Sequence, residues 1–207
     1  MRCFSVFVLL AIGLIGCGDS NGNVTDQKQT VLTKERKMFT SKSETQIITI
    51  ENDIKVVGLS LVKFVGHNKP ETEVGKIGDL WGIYTGGQCE KVENVKTPSV
   101  NYGFWFMKPG FHDYIVGGEV VEFGQIDNQH ITAVIPAGRY IKDSFNAKDF
   151  SDLVDGVLSA RREVARKWAD DNGIKIKHDF SVLGIEVYPS QEIAAEHPSM
   201  YTLTPVE

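Results

Sequence analysis

Phe150-Ser151-Asp152-Leu153-Val154-Asp155-Gly156-Val157-Leu158-Ser159-Ala160-Arg161-Arg162-Glu163-Val164-Ala165-Arg166-Lys167-Trp168 is the stretch whose reading decides the fold. Phe150, Leu153, Val154, Val157, Leu158, Val164, Ala165 and Trp168 recur at the spacing of one helical stripe, which is a face to be buried. Arg161, Arg162, Arg166 and Lys167 fall largely on the other faces and read as a solvated surface. Asp149 or Ser151 is placed to cap the start, and Asn172-Gly173 to end the helix. Upstream, His130 to Phe145 reads as a strand interrupted at Pro136-Ala137-Gly138; downstream, Ser181 to Tyr188 and Met200 to Val206 read as two more strands.

The residues ahead of this unit repeat its order. Ile54 to Gly66 is a β-branched and aromatic run that fits a strand. Asn68 and Pro70 suit a helix start, and Val74, Ile77, Leu80, Trp81 and Tyr84 recur at helical spacing until Gly86-Gly87. Val100 to Lys108 and Asp113 to Phe123 follow as strands, joined across the turn dipeptide Pro109-Gly110. The expected fold is therefore α+β: a duplicated β-α-β-β unit whose antiparallel sheet carries two helices on one face and a ligand cleft on the other.

Strand periodicity nominates the site. Alternation puts Gly184, Glu186 and Tyr188 on one face of their strand and Leu183, Ile185 and Val187 on the other. The aliphatic row is the natural partner for the helices, so Glu186 is expected on the open side beside Tyr188. A carboxylate among aromatic rings in a concave site attracts cations through its own charge and through the ring quadrupoles. Tyr102 and Trp105 lie on opposite faces of an aromatic strand, and both rows are apolar, so either can meet the helices. Glu119 follows Gly117-Gly118 among apolar neighbours, where an unpaired carboxylate would have a raised pKa suited to acid or base work.

Three stretches carry a resemblance: Phe111-His112-Asp113-Tyr114-Ile115-Val116-Gly117-Gly118-Glu119-Val120, then Ile135-Pro136-Ala137-Gly138-Arg139-Tyr140, then Ile185-Glu186-Val187-Tyr188. In order and spacing, with the long helix between the latter two, they resemble the effector-binding domain of AraC-type and multidrug-responsive activators, which stands alone in the gyrase-inhibitory protein family. The resemblance covers roughly residues 54 to 207. It implies a cleft between repeats that binds small, often cationic or aromatic molecules, with Glu186 as the acid and Tyr188, Glu119, Tyr102 and Trp105 as wall residues. Some relatives are hydrolases with paired glutamates, which makes Glu119 and Glu186 the alternative catalytic pair; glycosidic chemistry would need a fixed separation between them. A third possibility is a structural or protein-interaction role in which the protein's own side chains fill the cleft.

The other end of the chain carries a different signal. Met1-Arg2-Cys3 leads into an apolar run from Phe4 to Gly16, and Leu14-Ile15-Gly16-Cys17 then gives way to Gly18-Asp19-Ser20-Asn21. This layout resembles a bacterial lipoprotein signal peptide, which implies cleavage before Cys17 and acylation of its thiol and freed amine. The run is too short for the roughly 20 residues that span a bilayer as a helix. Residues 1 to 16 thus read as signal peptide, 17 to 44 as a flexible tether poor in apolar residues, and 45 to 207 as the domain. Gly18 rather than an acid follows the cysteine, which favours an outer-membrane position facing the periplasm. The region before Ile54 reads as signal and tether, so a DNA-binding role is not expected.

Composition narrows the partners. With 22 basic and 27 acidic residues and no basic tract, the chain offers nucleic acid no broad grip. After cleavage and acylation Cys89 is the one thiol left over, which excludes an internal disulfide and a cysteine metal cluster. The histidines at 67, 112, 130, 178 and 197 are scattered, and the Gly-rich fragments lack phosphate-loop spacing, so neither a metal nor a nucleotide cofactor is expected.

Overall fold

The computed structural model describes residues 39–67, 69–108, 111–178 and 181–207. The expected signal peptide, Cys17 and most of the tether lie outside the described residues, as do Asn68 and the Pro109-Gly110 turn. Eight strands form one antiparallel sheet in the order β1-β6-β8-β7-β3-β4-β2-β5. They are β1 Ser43–Ile50, β2 Ile54–Ser60, β3 Val100–Lys108, β4 Phe111–Val120, β5 His130–Ile135, β6 Gly138–Asn146, β7 Val182–Pro189 and β8 Ser199–Pro205. Two repeats are plain in this order. One contributes β2, β4 and β3, the other β6, β8 and β7, and β3 meets β7 at the centre. The fold is the α+β, duplicated β-α-β-β class expected from sequence.

Two strands extend that plan. β1 pairs with β6 and β5 with β2, in nearly continuous register from Ser43↔Phe145 to Leu59↔His130. The two ends of the sheet are thus arms of one long ribbon, which obliges the sheet to curl. The ladder starts at Ser43, ahead of the expected domain boundary, and Phe39 already packs at a tilt against His197 with ring centroids 5.0 Å apart.

Curling gives the sheet a buried concave face without helices. Val56, Tyr102, Phe104, Ile115, Ile135, Tyr140, Ile185 and Val187 are part of its apolar cluster. The helices cover the convex face. The first repeat carries α1 (Leu61–Val65) and α2 (Ile77–Thr85), the second carries α3 (Leu158–Asp171), and a single turn, α4 (Ser190–Ile193), follows β7.

The run from Ile54 to Gly66 is strand only as far as Ser60. There the Ser60 hydroxyl accepts from the Lys63 amide and donates to buried Asp113, whose other oxygen accepts from the Val62 amide at 3.0 Å. This N-cap converts an apolar run of strand-like composition into a helical turn. Ahead of α3, Asp152–Val157 forms a π-helical turn, and Asp149 does the capping by accepting from the Asp152 amide at 2.9 Å.

α3 is fixed to the sheet by small residues and by charge. Ala165 and Ala169 are buried against Ile141 of β6 and Val206, which allows close approach. Arg161 does not lie on a solvated face: it forks onto the fully buried Asp143 of β6, which also accepts from Thr45 of β1 at 2.7 Å. Removing one member of a buried pair strands the other charge, at a cost of about 3–5 kcal/mol. Asp143→Ala is therefore expected to lose stability on that order in urea unfolding, against a small change for Lys167→Ala, whose pair with Asp171 is exposed.

Candidate functional site

Glu186 lies on β7 with Gly103 of β3 on one side and Thr202 of β8 on the other. Its neighbours Ile185 and Val187 are wholly buried in the concave cluster, so Glu186 points to the convex, helix-bearing face. This corrects the expectation that the aliphatic row meets the helices and that Glu186 faces away from them. The reason is the curl. A sheet that closes on itself has an apolar interior of its own, and that interior takes the aliphatic row.

A bulge adjusts the register beside the site. Trp105↔Leu183 and Gly103↔Glu186 are separated by one extra residue on β7, and Gly184 there has φ of +57°, a left-handed conformation that suits glycine.

Four rings from four elements gather around the carboxylate. Tyr114 of β4 and Tyr188 of β7 each donate a hydrogen bond to Glu186 Oε2 at 2.9 Å. Trp81 of α2 packs edge-on against Tyr188 with centroids 4.7 Å apart, and its indole nitrogen reaches the Tyr114 hydroxyl at 3.4 Å. Trp105 of β3 meets Tyr114 edge-on at 5.3 Å. Gly103 makes the room: a Cβ there would stand 2.4 Å from the Tyr114 hydroxyl, 2.9 Å from Trp81 and 3.2 Å from Glu186 Oε2.

Arg162 of α3 closes the arrangement, its Nη2 donating to Glu186 Oε1 at 2.7 Å. The partners differ sharply in exposure: the Glu186 side chain is 6% exposed and that of Arg162 47%. Burial pushes the Glu186 carboxyl up from the ordinary carboxylate range, while Arg162 and the two phenols pull it back by favouring the charged form. Burial, then the Glu186 charge, drive both tyrosines well above the usual phenol range, so they are donors at any physiological pH.

Of the residues nominated from sequence, Glu186, Tyr188 and Trp105 come together here. Glu119 and Tyr102 do not; they belong to the concave face. Tyr102 is packed in the apolar cluster, and Glu119 is paired with Lys96 at 2.9 Å rather than unpaired. Because Glu119 and Glu186 project from opposite faces, they do not converge as a paired-glutamate hydrolase requires. Trp81, Tyr114 and Arg162 were missed. Trp81 read only as part of a helical stripe and Tyr114 only as part of a strand, although a glycine within the aromatic run Tyr102-Gly103-Phe104-Trp105 is a sign that another group needs its space. Arg162 read as part of a solvated face; only the fold shows that it and Arg161 reach inward to separate carboxylates. Among the described residues, no three His, Cys, Asp or Glu side chains come together as metal ligands.

The sequence profile of the Cass2 family, integron-associated effector binding proteins, matches residues 47–202, and the chain belongs to that family. Membership assigns the domain to the binding of small-molecule effectors. No match to a curated protein sequence is found. Among solved structures, an integron cassette protein from the Vibrio cholerae mobile metagenome is similar at a TM-score of 0.50 and 16% identity, over 82% of this chain and 100% of that one. A protein from Staphylococcus aureus MU50 described as a bacterial transcription regulator gives 0.57 at 12% identity, over 79% and 98%. A third, solved bound to tetraphenylphosphonium, gives 0.56 at 13% identity, over 79% and 94%. At these identities the likeness is one of fold.

The unequal burial of the ion pair makes a prediction. Glu186→Gln leaves Arg162 free to turn to water, a small loss. Arg162→Ala strands the carboxylate among Trp81, Tyr114 and Tyr188, and it responds by holding its proton more tightly. A carboxyl whose folded pKa lies above its unfolded value of about 4.3 loses stability as pH rises between the two. Thermal melts should therefore show Arg162→Ala further below wild type at pH 8 than at pH 5, with Glu186→Gln showing no such trend.

Proposed function

We propose that this domain binds a small amphipathic organic cation at Glu186, between α2 and α3, with Trp81, Trp105, Tyr114 and Tyr188 as the contact surface. The observation that carries the reading is a carboxylate almost entirely buried among four aromatic rings, with a half-exposed arginine as its cationic partner. Such a group is costly to bury unless a cation accompanies it. Aromatic faces around it add cation–π attraction and apolar contact area. Membership in an effector-binding family and the likeness of fold to a protein holding tetraphenylphosphonium support a ligand of this chemistry.

Tetraphenylphosphonium is therefore the first probe. Titrated calorimetrically or by quenching of Trp81 and Trp105 fluorescence, it should bind wild type and bind Glu186→Gln at least about tenfold more weakly, equivalent to 1.4 kcal/mol. Equal binding by the two proteins would remove Glu186 as the recognition charge.

The same proposal includes tethering at the cell envelope through a lipidated Cys17, following from the sequence Leu14-Ile15-Gly16-Cys17. Several acyl chains on one residue give stable anchoring, since each buried methylene is worth roughly 0.8 kcal/mol. A domain so held would sense or sequester its ligand, on the periplasmic side of the outer membrane where the organism has one. Cys17→Ala should abolish incorporation of labelled fatty acid and leave precursor uncut. Unchanged labelling and processing would refute the anchor without touching the binding site.

A further inference from the structure

Arg162 stands where a bound cation would stand. Its guanidinium meets the Glu186 carboxylate at 2.7 Å, over a wall that includes Trp105, and a Cβ on Gly184 would lie 3.7 Å from Nη2 and 3.8 Å from Trp105. We infer that Arg162 is a built-in occupant of the cation site, which the ligand must displace, and that it is the residue deciding which ligands enter. This inference rests on the cation-binding reading above.

Three observations carry it. The carboxylate is closed in from within the protein: Tyr114 and Tyr188 take Oε2, and Gly103 and Thr202 flank it on the neighbouring strands. Oε1, by contrast, is covered by a side chain that is itself 47% exposed and can swing into water without moving the backbone. Finally, Arg162 differs from its neighbour Arg161, which is 15% exposed and forks onto an Asp143 of zero exposure. One arginine is buried on its carboxylate and the next is half exposed, and the half-exposed one covers the aromatic site.

Displacement selects by charge. An incoming monocation replaces the arginine's charge and leaves Glu186 paired throughout. A neutral molecule of the same shape would strand a buried carboxylate, and a dication would bring one uncompensated charge into it. The ligand class is thus an organic monocation with apolar area enough to repay the loss of the Arg162 bond, such as a quaternary phosphonium or ammonium with aryl substituents. The tethered guanidinium lowers apparent affinity by the fraction of time the site stands open.

The test compares wild type, Arg162→Ala, Arg162→Gln and Glu186→Gln in the full-length protein, with tetraphenylphosphonium as cation and triphenylphosphine oxide as a neutral aryl counterpart. For an occupant that leaves the site open about 10% of the time or less, deleting it should tighten tetraphenylphosphonium binding roughly tenfold or more in both Arg162 variants, measured at pH 8 so that the uncovered carboxyl is most readily ionised. The melting shift that saturating cation produces should also be larger in Arg162→Ala than in wild type. Arg162→Gln, which keeps a polar, hydrogen-bonding side chain without charge, guards against damage from the smaller variant. In wild type, the Arg162 side-chain Nε–H signal should move toward the free-guanidinium position as cation is added, and stay unmoved with the neutral compound. Unchanged or weaker binding in both Arg162 variants, with Glu186→Gln still impaired, would overturn the displacement model and leave the cation site standing. No difference between wild type and Glu186→Gln would overturn the site itself, and the inference with it.

Discussion

A negative charge on the central strand of a sheet, out of reach of bulk water, is the constraint around which this fold is arranged. Glu186 is 4% exposed, and its burial becomes tolerable through contributions from both repeats. The first repeat supplies Tyr114, Trp81 and Trp105, along with Gly103, whose missing side chain leaves space for Tyr114, Trp81 and the carboxylate itself. The second supplies Tyr188 and Arg162. Neither half satisfies the carboxylate alone, so the seam where β3 meets β7 is where the duplicated unit gains a property its single copy lacks.

The curl of the sheet determines which face this seam presents. Since β1–β2 and β5–β6 form one continuous ribbon, the ends of the sheet are drawn toward each other and the concave side fills with Ile, Val, Phe and Tyr. The cluster around Glu186 therefore lies on the convex side, against helices that are also fixed by other means. α1 is held by the Ser60–Asp113 cap, and α3 by Arg161 on Asp143 and by Ala165 and Ala169 against β6 and Val206. Because α3 is fixed independently of Glu186, the Arg162 bond is not what holds that helix on the sheet.

Much of this architecture could be read from the chain. The spacing of Leu153, Val157, Leu158 and Ala165 announced α3, Pro136-Ala137-Gly138 marked the break between β5 and β6, and the run from Val100 to Lys108 is the observed β3. β1 escaped notice because Ser43-Glu44-Thr45-Gln46 is polar and its partner lies about a hundred residues away in β6. α1 escaped because Leu61-Val62-Lys63-Phe64-Val65 has strand composition, and its Ser60 cap is held in place by Asp113 on another strand. Glu186 was recognised, but its direction was not: alternation separates two faces without saying which one the helices cover, and a curled sheet buries both. Arg162 was indistinguishable from Arg166 in sequence, since both are basic residues beside a helical stripe and only the position of β7 separates them.

The most direct measurement is a crystal structure of the domain grown with tetraphenylphosphonium. The account predicts the phosphonium charge facing Glu186 beside Trp81, Trp105, Tyr114 and Tyr188, with the Arg162 guanidinium turned out to solvent and the backbone of β7 unmoved. A cation bound elsewhere, with Arg162 still on Glu186, would contradict it.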